Sequence, residues 1–209
     1  MWRQARHWPR ARSPVRHIGR AGDVLRKACK DAASWPAHID LAVNVSPVQL
    51  LDPRLPQTVA QALADSGLSP SRLELEITET ALLNNDEAAL RTLTQIRDLG
   101  VRISLDDFGT GYSSLSYLHR FPISRIKIDK SFVQKLPDDV GSASIVRAIA
   151  QLGSSLSMKI TAEGIETDSQ LSFIKEHGCD EVQGFLTGRP IALADFLVLT
   201  GHQAENVEA

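Results

Sequence analysis

"NNDEAALRTLTQIRDLGVRISLDD", residues 84–107, holds one complete α/β unit with its punctuation. Asn or Asp caps the first part, Leu90, Leu93 and Ile96 recur on one helical face, and Gly100 ends the helix. VRISLDD, 101–107, follows at once as a strand that closes on two adjacent carboxylates. The same grammar extends outward on both sides. Helices are predicted over 23–35, 56–67, 113–121, 142–156 and 167–178, and further strands over 41–46, 73–78, 125–129, 159–165 and 181–186. Pro56 stands near the start of its helix and Gly67 at its C-terminal cap. Alternation of this kind predicts a parallel sheet with crossover helices. A TIM-like (β/α) barrel is the leading architecture, and a doubly wound open sheet is the alternative. No glycine fingerprint follows the first strand, where a dinucleotide fold requires one.

The chain has 209 residues, 43% of them hydrophobic, and no run of 18 or more apolar residues, so no membrane span is expected. Cys29 and Cys179 are too far apart to form a metal-type pair, and the expected compartment is the reducing cytoplasm. Charge is uneven. Residues 1–30 hold nine Lys/Arg and one acid; the remaining 179 hold 14 Lys/Arg and 24 acids, a net of −10. An acidic body is a poor match for duplex nucleic acid, although acids that hold divalent cations can still bind phosphates. The first twenty residues, with six Arg, two Trp, two Pro and no acid, show no period and no apolar core of a secretory signal. The expected organisation is a basic leader over 1–22, a barrel domain over 23–200 and a tail over 201–209.

Polar residues collect at the C-terminal end of every predicted strand. They are Asn44, Glu76 with Glu79, Asp106 with Asp107, Lys127 with Asp129, Glu163 with Glu166, and Gln183. In a barrel these ends converge on one mouth, where barrel enzymes carry their catalytic groups. So many acids repel one another unless cations are bound, and hard oxygen donors without His or Cys suit Mg²⁺ or Mn²⁺. Taken singly, each is as easily a helix cap or a turn residue. The adjacent aspartates require a bend if both are to reach one ligand, because strand neighbours face opposite ways. Gly109 and Gly111 supply a permissive backbone for it, and Ser113 or Ser114 can cap the next helix. "DFG" at 107–109 is not the protein-kinase motif, since no Gly-rich phosphate loop precedes it.

The stretches VNVSPVQL, LELEITET, SLDDFGTGYSSLSYL, IKIDKSFV, TAEGIET and VQGFLTGRP, in this order, resemble the successive signatures of the EAL domain. The resemblance runs from about Val24 to about Phe196. It implies a (β/α) barrel that hydrolyses cyclic di-GMP to linear pGpG with two Mg²⁺ or Mn²⁺ ions. By the same resemblance, Asn44, Glu76, Asp106 and Asp107 are metal ligands, and Glu163 is a further acid at the metals. Lys127 orients the attacking water, and Glu166 and Gln183 are further catalytic-site residues. Glu79 holds the loop that contains Gly109 and Gly111. The loop 106–114 lies near a surface through which related barrels pair as homodimers. No substrate-binding residue is assigned.

The sequence departs from the family at one point. The glutamate of the name-giving Glu-Ala-Leu stretch is a metal ligand, yet this chain has no Glu before Glu74, and the arginine that follows the stretch is not assigned either. By resemblance, six of eight strands are present. Strands 41–46 and 181–186 are then expected at open edges, with Val43, Val45, Val182 and Phe185 poorly covered and the isolated chain only marginally stable unless a partner or dimer closes the gap. Three functions stay open: a phosphodiesterase, a receptor or interaction module without catalysis, and a gene fragment.

Overall fold

A computed structural model describes residues 21–83, 86–111, 115–193 and 195–196. The basic leader up to residue 20, Ser113 and Ser114, and the tail after residue 200 lie outside the described residues.

The chain begins with α1 (Ala21–Ala33), β1 (Leu41–Val45), α2 (Pro47–Leu50) and α3 (Leu55–Ser66). Next come β2 (Leu73–Thr78), α4 (Glu79–Leu83), α5 (Asp86–Asp98) and β3 (Arg102–Phe108). Then follow α6 (Leu115–Arg120), β4 (Arg125–Ile128), α7 (Lys130–Val133) and α8 (Val140–Ser155). β5 (Lys159–Glu163), α9 (Asp168–Glu176) and β6 (Glu181–Gln183) complete the set. All six strands are parallel and lie in sequence order, which is the α/β half-barrel of a TIM-like fold. Curvature is visible in the side chains. Arg125 on β4 reaches Glu74 on β2 and Glu181 on β6, neither of them a neighbouring strand.

The strands alternate, β3 only as far as Asp106. One face carries Leu73, Leu75, Ile77, Ile103, Leu105, Ile126, Ile128, Ile160 and Ala162, all buried. α3, α5 and α8 pack on that side, with Val59, Leu93, Ile96, Val146 and Ile149 buried in the same core. Parallel strands with two apolar faces read as continuous hydrophobic runs. Here the alternation persists because the inner face is polar.

Local signals end the helices where expected. Gly67 (φ 68°) takes the left-handed cap after α3, and its N–H donates to Leu63 O. Gly100 (φ 91°) follows α5. Five strand ends differ from expectation, those of β1 and β4 by being one residue shorter. β3 runs on through Phe108, and its pairing with β4 shifts register between Leu105 and Phe108. β5 stops at Glu163 because Gly164 (φ 75°) turns the chain. β6 stops at Gln183 rather than 186. There Gly184 lies so close to the backbone of Ile165 that a Cβ would collide with its carbonyl oxygen and nitrogen, and Leu186 N–H donates to Ile165 O. The chain after Gln183 is therefore held by a turn, and Phe185 is 54% exposed.

β1 and β6 are the sheet edges, and Val43 and Val182 are half-buried as an edge position implies. Val45 departs from the expectation. It is buried in the main core, on the face the helices cover. Both cysteines are buried. Burial pushes the Cys29 thiol up to about 11 and the Cys179 thiol up to about 12, so both are neutral thiols at physiological pH. No helix among the described residues is long and apolar enough to cross a membrane.

Candidate active site: two ionic layers on the inner face

The inner face is built from residues two apart on each strand, which lie one above the other. Glu74 and Glu76, Arg125 and Lys127, Thr161 and Glu163, and Glu181 and Gln183 are such pairs. They form two layers of different character.

The lower layer, toward the N-terminal strand ends, is closed electrically. Arg125 is 2% exposed and Glu74 1%. Arg125 Nε lies 3.1 Å from Glu74 Oε1, and its guanidinium reaches Glu181 Oε2 at 2.6 Å and donates to Thr161 Oγ1 at 2.9 Å. Arg102 pairs with Asp40 at 2.7 Å and approaches Glu74 at 3.9 Å, and Lys159 approaches Glu181 at 3.9 Å. Acids and bases match in number: Asp40, Glu74 and Glu181 against Arg102, Arg125 and Lys159. Buried ions matched in this way hold geometry rather than a ligand.

The upper layer, at the C-terminal ends, is rich in acids. Lys127 is 0% exposed. Its Nζ lies 2.9 Å from Glu76 Oε1, 2.8 Å from Asp106 Oδ1 and 2.7 Å from Glu163 Oε1. Asp107 joins from above: ligand atoms of Asp106, Asp107 and Glu163 all lie within 4.8 Å of one another. Among the described residues, three carboxylates thus bond one ammonium, and Asp107 gathers with two of them. Glu76, 2% exposed, keeps Oε2 buried without a hydrogen-bond partner, and so does Gln183 with Oε1. Orphaned buried acceptors beside clustered carboxylates are the signature of a cation's donors. The residues present fit divalent cations held by oxygen.

The two aspartates meet through backbone geometry. Asp107 has φ 55°, in the left-handed region, and the register of β3 shifts around it. The bend lies inside the strand as a bulge rather than at its end, and it brings the Asp107 carboxylate to the side where Asp106 stands. Gly109 (φ 97°) then carries the turn. Gly111 plays a different part from the one expected. A Cβ there would stand 2.7 Å from Glu79 Oε1, so its bare backbone leaves room for that carboxylate. Glu79 is buried, and its Oε2 accepts from Gly109 N–H at 3.2 Å. Removing this acceptor frees the segment that holds Asp107. Glu79→Ala is expected to weaken Mn²⁺ binding roughly 10–100-fold, as loss of an outer partner does. Calorimetry of the variant checks this, with amide exchange at Gly109 reporting the freed loop.

The other expected residues are placed as follows. Asn44 is exposed at the end of β1, opposite Glu76 in register. Gln183 stands opposite Glu163. Glu166 lies beyond β5 with an exposed side chain, and its backbone N–H donates to Gln170 Oε1 in the cap of α9. Its carboxylate is not among the clustered acids. Asp129 caps α7 by accepting from Ser131 N–H at 2.9 Å. The lower layer was not anticipated from the sequence, although the spacing of two on each strand signals it.

Fold and site together define an α/β barrel-type domain with a cation-fitting carboxylate cluster at its C-terminal strand ends. The sequence profile of the EAL domain matches residues 20–190, and the chain belongs to the EAL domain family. The bifunctional diguanylate cyclase/cyclic di-GMP phosphodiesterase MucR of Pseudomonas aeruginosa is 45% identical over 178 residues, 83% of this chain and 26% of that protein. The solved MucR phosphodiesterase in complex with cyclic di-GMP superposes with a TM-score of 0.81 at 44% identity, over 84% of this chain and 73% of that one. Klebsiella pneumoniae BlrP1, solved with manganese and cyclic di-GMP, gives a TM-score of 0.74 at 29% identity, over 79% and 43%. The chain spans about a quarter of the length of the curated relatives it matches.

Proposed function

We propose that this domain acts on cyclic di-GMP as a phosphodiesterase and opens the ring to pGpG. The observation that carries the reading is the upper layer, in which Glu76, Asp106 and Glu163 converge on Lys127 and Asp107 gathers with the last two. The relatives named for this activity and the neighbours solved with this nucleotide point the same way.

In this reading Asn44, Glu76, Asp106, Asp107 and Glu163 hold two divalent ions, Mg²⁺ or Mn²⁺. Such ions, when bound, lower the pKa of water and offset charge on the phosphate. The chain's own residues do the rest. Lys127 and Gln183 orient the water from the floor and from β6, and Glu166 stands by at the rim. Glu79 fixes the Gly109–Gly111 turn and with it Asp107. Water oxygen bonds to phosphorus, the P–O3′ bond breaks, and a proton passes to the leaving oxygen, which yields the linear dinucleotide. The proposed unit is the barrel segment 23–200 between a basic leader and a short tail, working in the cytoplasm. The loop 106–114 is the proposed homodimer contact.

A second reading, in which the site binds cyclic di-GMP without turnover, is favoured by Lys127, whose ammonium already engages three of the carboxylates. Incubation of the purified full chain with cyclic di-GMP and Mn²⁺ separates the two. Release of pGpG that stops with EDTA supports hydrolysis. Calorimetric binding without product supports the receptor, and neither binding nor product refutes both.

A further inference from the structure

We propose that Lys127 is the site's built-in counter-cation: its ammonium competes with the divalent ion for the same carboxylates and thereby lowers the metal affinity. The inference rests on the reading that the upper layer holds such ions, and it concerns how tightly they are held.

Lys127 sits at the floor of the cluster and is bonded to three acids from three strands, Glu76, Asp106 and Glu163. Two of these, Asp106 and Glu163, also stand in the group that gathers with Asp107. A carboxylate oxygen that accepts from an ammonium donates less to a second cation, and the two cations repel at this separation. Repulsion is strong because the site is buried and poorly screened. The ammonium cannot diffuse away. Its stem rises from the centre of β4 between Ile126 and Ile128, both fully buried, so it remains a tethered competitor at fixed high local concentration. Glu76 shows how the two can coexist: Oε1 engages Lys127 while Oε2 has no partner.

The same lysine steadies the metal-free protein, because Glu76, Asp106 and Glu163 repel one another and each bonds to its ammonium. These two effects separate this role from plain scaffolding. If Lys127 only preorganises the carboxylates, its removal splays them and weakens metal binding. If it competes, its removal tightens binding while the metal-free fold loses stability. The coupling between the two cations is reciprocal, as for any pair of linked ligands.

The test is Mn²⁺ titration of the full chain by calorimetry, wild type against Lys127→Met, with circular dichroism as the check on folding. The expected result is Mn²⁺ affinity raised on the order of tenfold or more in the variant, with a lower melting temperature in EDTA. Equal or weaker affinity in a folded variant overturns the proposal. No Mn²⁺ binding by the wild type overturns the underlying cation-site reading as well, so the two failures are distinguishable. Should the Met variant not fold, Lys127→Gln keeps donors to the carboxylates without the charge, and the same affinity comparison applies. In the wild type, the Lys127 ammonium should be protected from hydrogen exchange in EDTA and lose protection as Mg²⁺ is added. An ammonium signal unchanged at saturating Mg²⁺ contradicts competition.

Discussion

Asp106→Asn is expected to abolish Mn²⁺-dependent pGpG release and to remove the rise in melting temperature that Mn²⁺ gives the wild type. Asp106 belongs to both halves of the site. It accepts from Lys127 through Oδ1 and gathers with Asp107 and Glu163. Asparagine keeps the shape and an acceptor oxygen but takes one negative charge from the acid cluster. Loss of a direct ligand should exceed the roughly 10–100-fold cost of losing an outer partner. The sign of the stability change distinguishes this from general damage. With repulsion reduced, the variant's melting temperature in EDTA should not fall, the usual trade between a site's charge and the fold's stability. An unchanged rate with Mn²⁺ would refute the metal role.

Arg125→Met carries the largest expected loss of stability. Its buried guanidinium joins Glu74, Thr161 and Glu181 across three strands. Removing it leaves Glu74 buried and without its main counter-charge, a change that costs about 3–5 kcal/mol. Urea unfolding of the variant measures this. The double variant Arg125→Met with Glu74→Leu should recover most of the loss, because a well-packed apolar pair replaces a matched ionic one at little net cost. If the single variant is as stable as the wild type, the lower layer does not hold the barrel interior.

The two substitutions test a division that follows from the strand pleat. The same strands carry both layers, yet among the described residues the lower one matches acids with bases and the upper one gathers acids about Lys127. In barrels the C-terminal ends carry chemistry and the N-terminal side carries stability. Here that rule has an electrostatic form. Matched ions tie β2, β4 and β6 together, and the acids one step above are the proposed cation donors.

Much of this was legible in the residues. Gly67 and Gly100 end α3 and α5 as their backbone freedom implies, and the strand ends that carry Asn44, Glu76, Asp106, Lys127, Glu163 and Gln183 share one rim. What was not legible depends on contacts between distant segments. The early end of β6 comes from Gly184 lying against Ile165, which no local propensity reveals. The place of the bend at Asp107 depends on the register between β3 and β4. The part of Gly111 is set by the Glu79 carboxylate, which arrives from another unit of the fold. Arg125 and Glu74 lie two positions before the site residues, and their meeting depends on the curvature that brings β2 and β4 together. Those residues face the same interior, where Arg125 pairs with Glu74 and Glu181.

The most direct measurement is a calorimetric titration of Mn²⁺ into the metal-free full chain. The account predicts saturable binding that EDTA reverses and that survives in the wild type without nucleotide, because the carboxylate donors are already assembled around Lys127. Absence of saturable binding, in a chain shown to be folded, would contradict the claim that the acid-rich upper layer is a divalent-cation site.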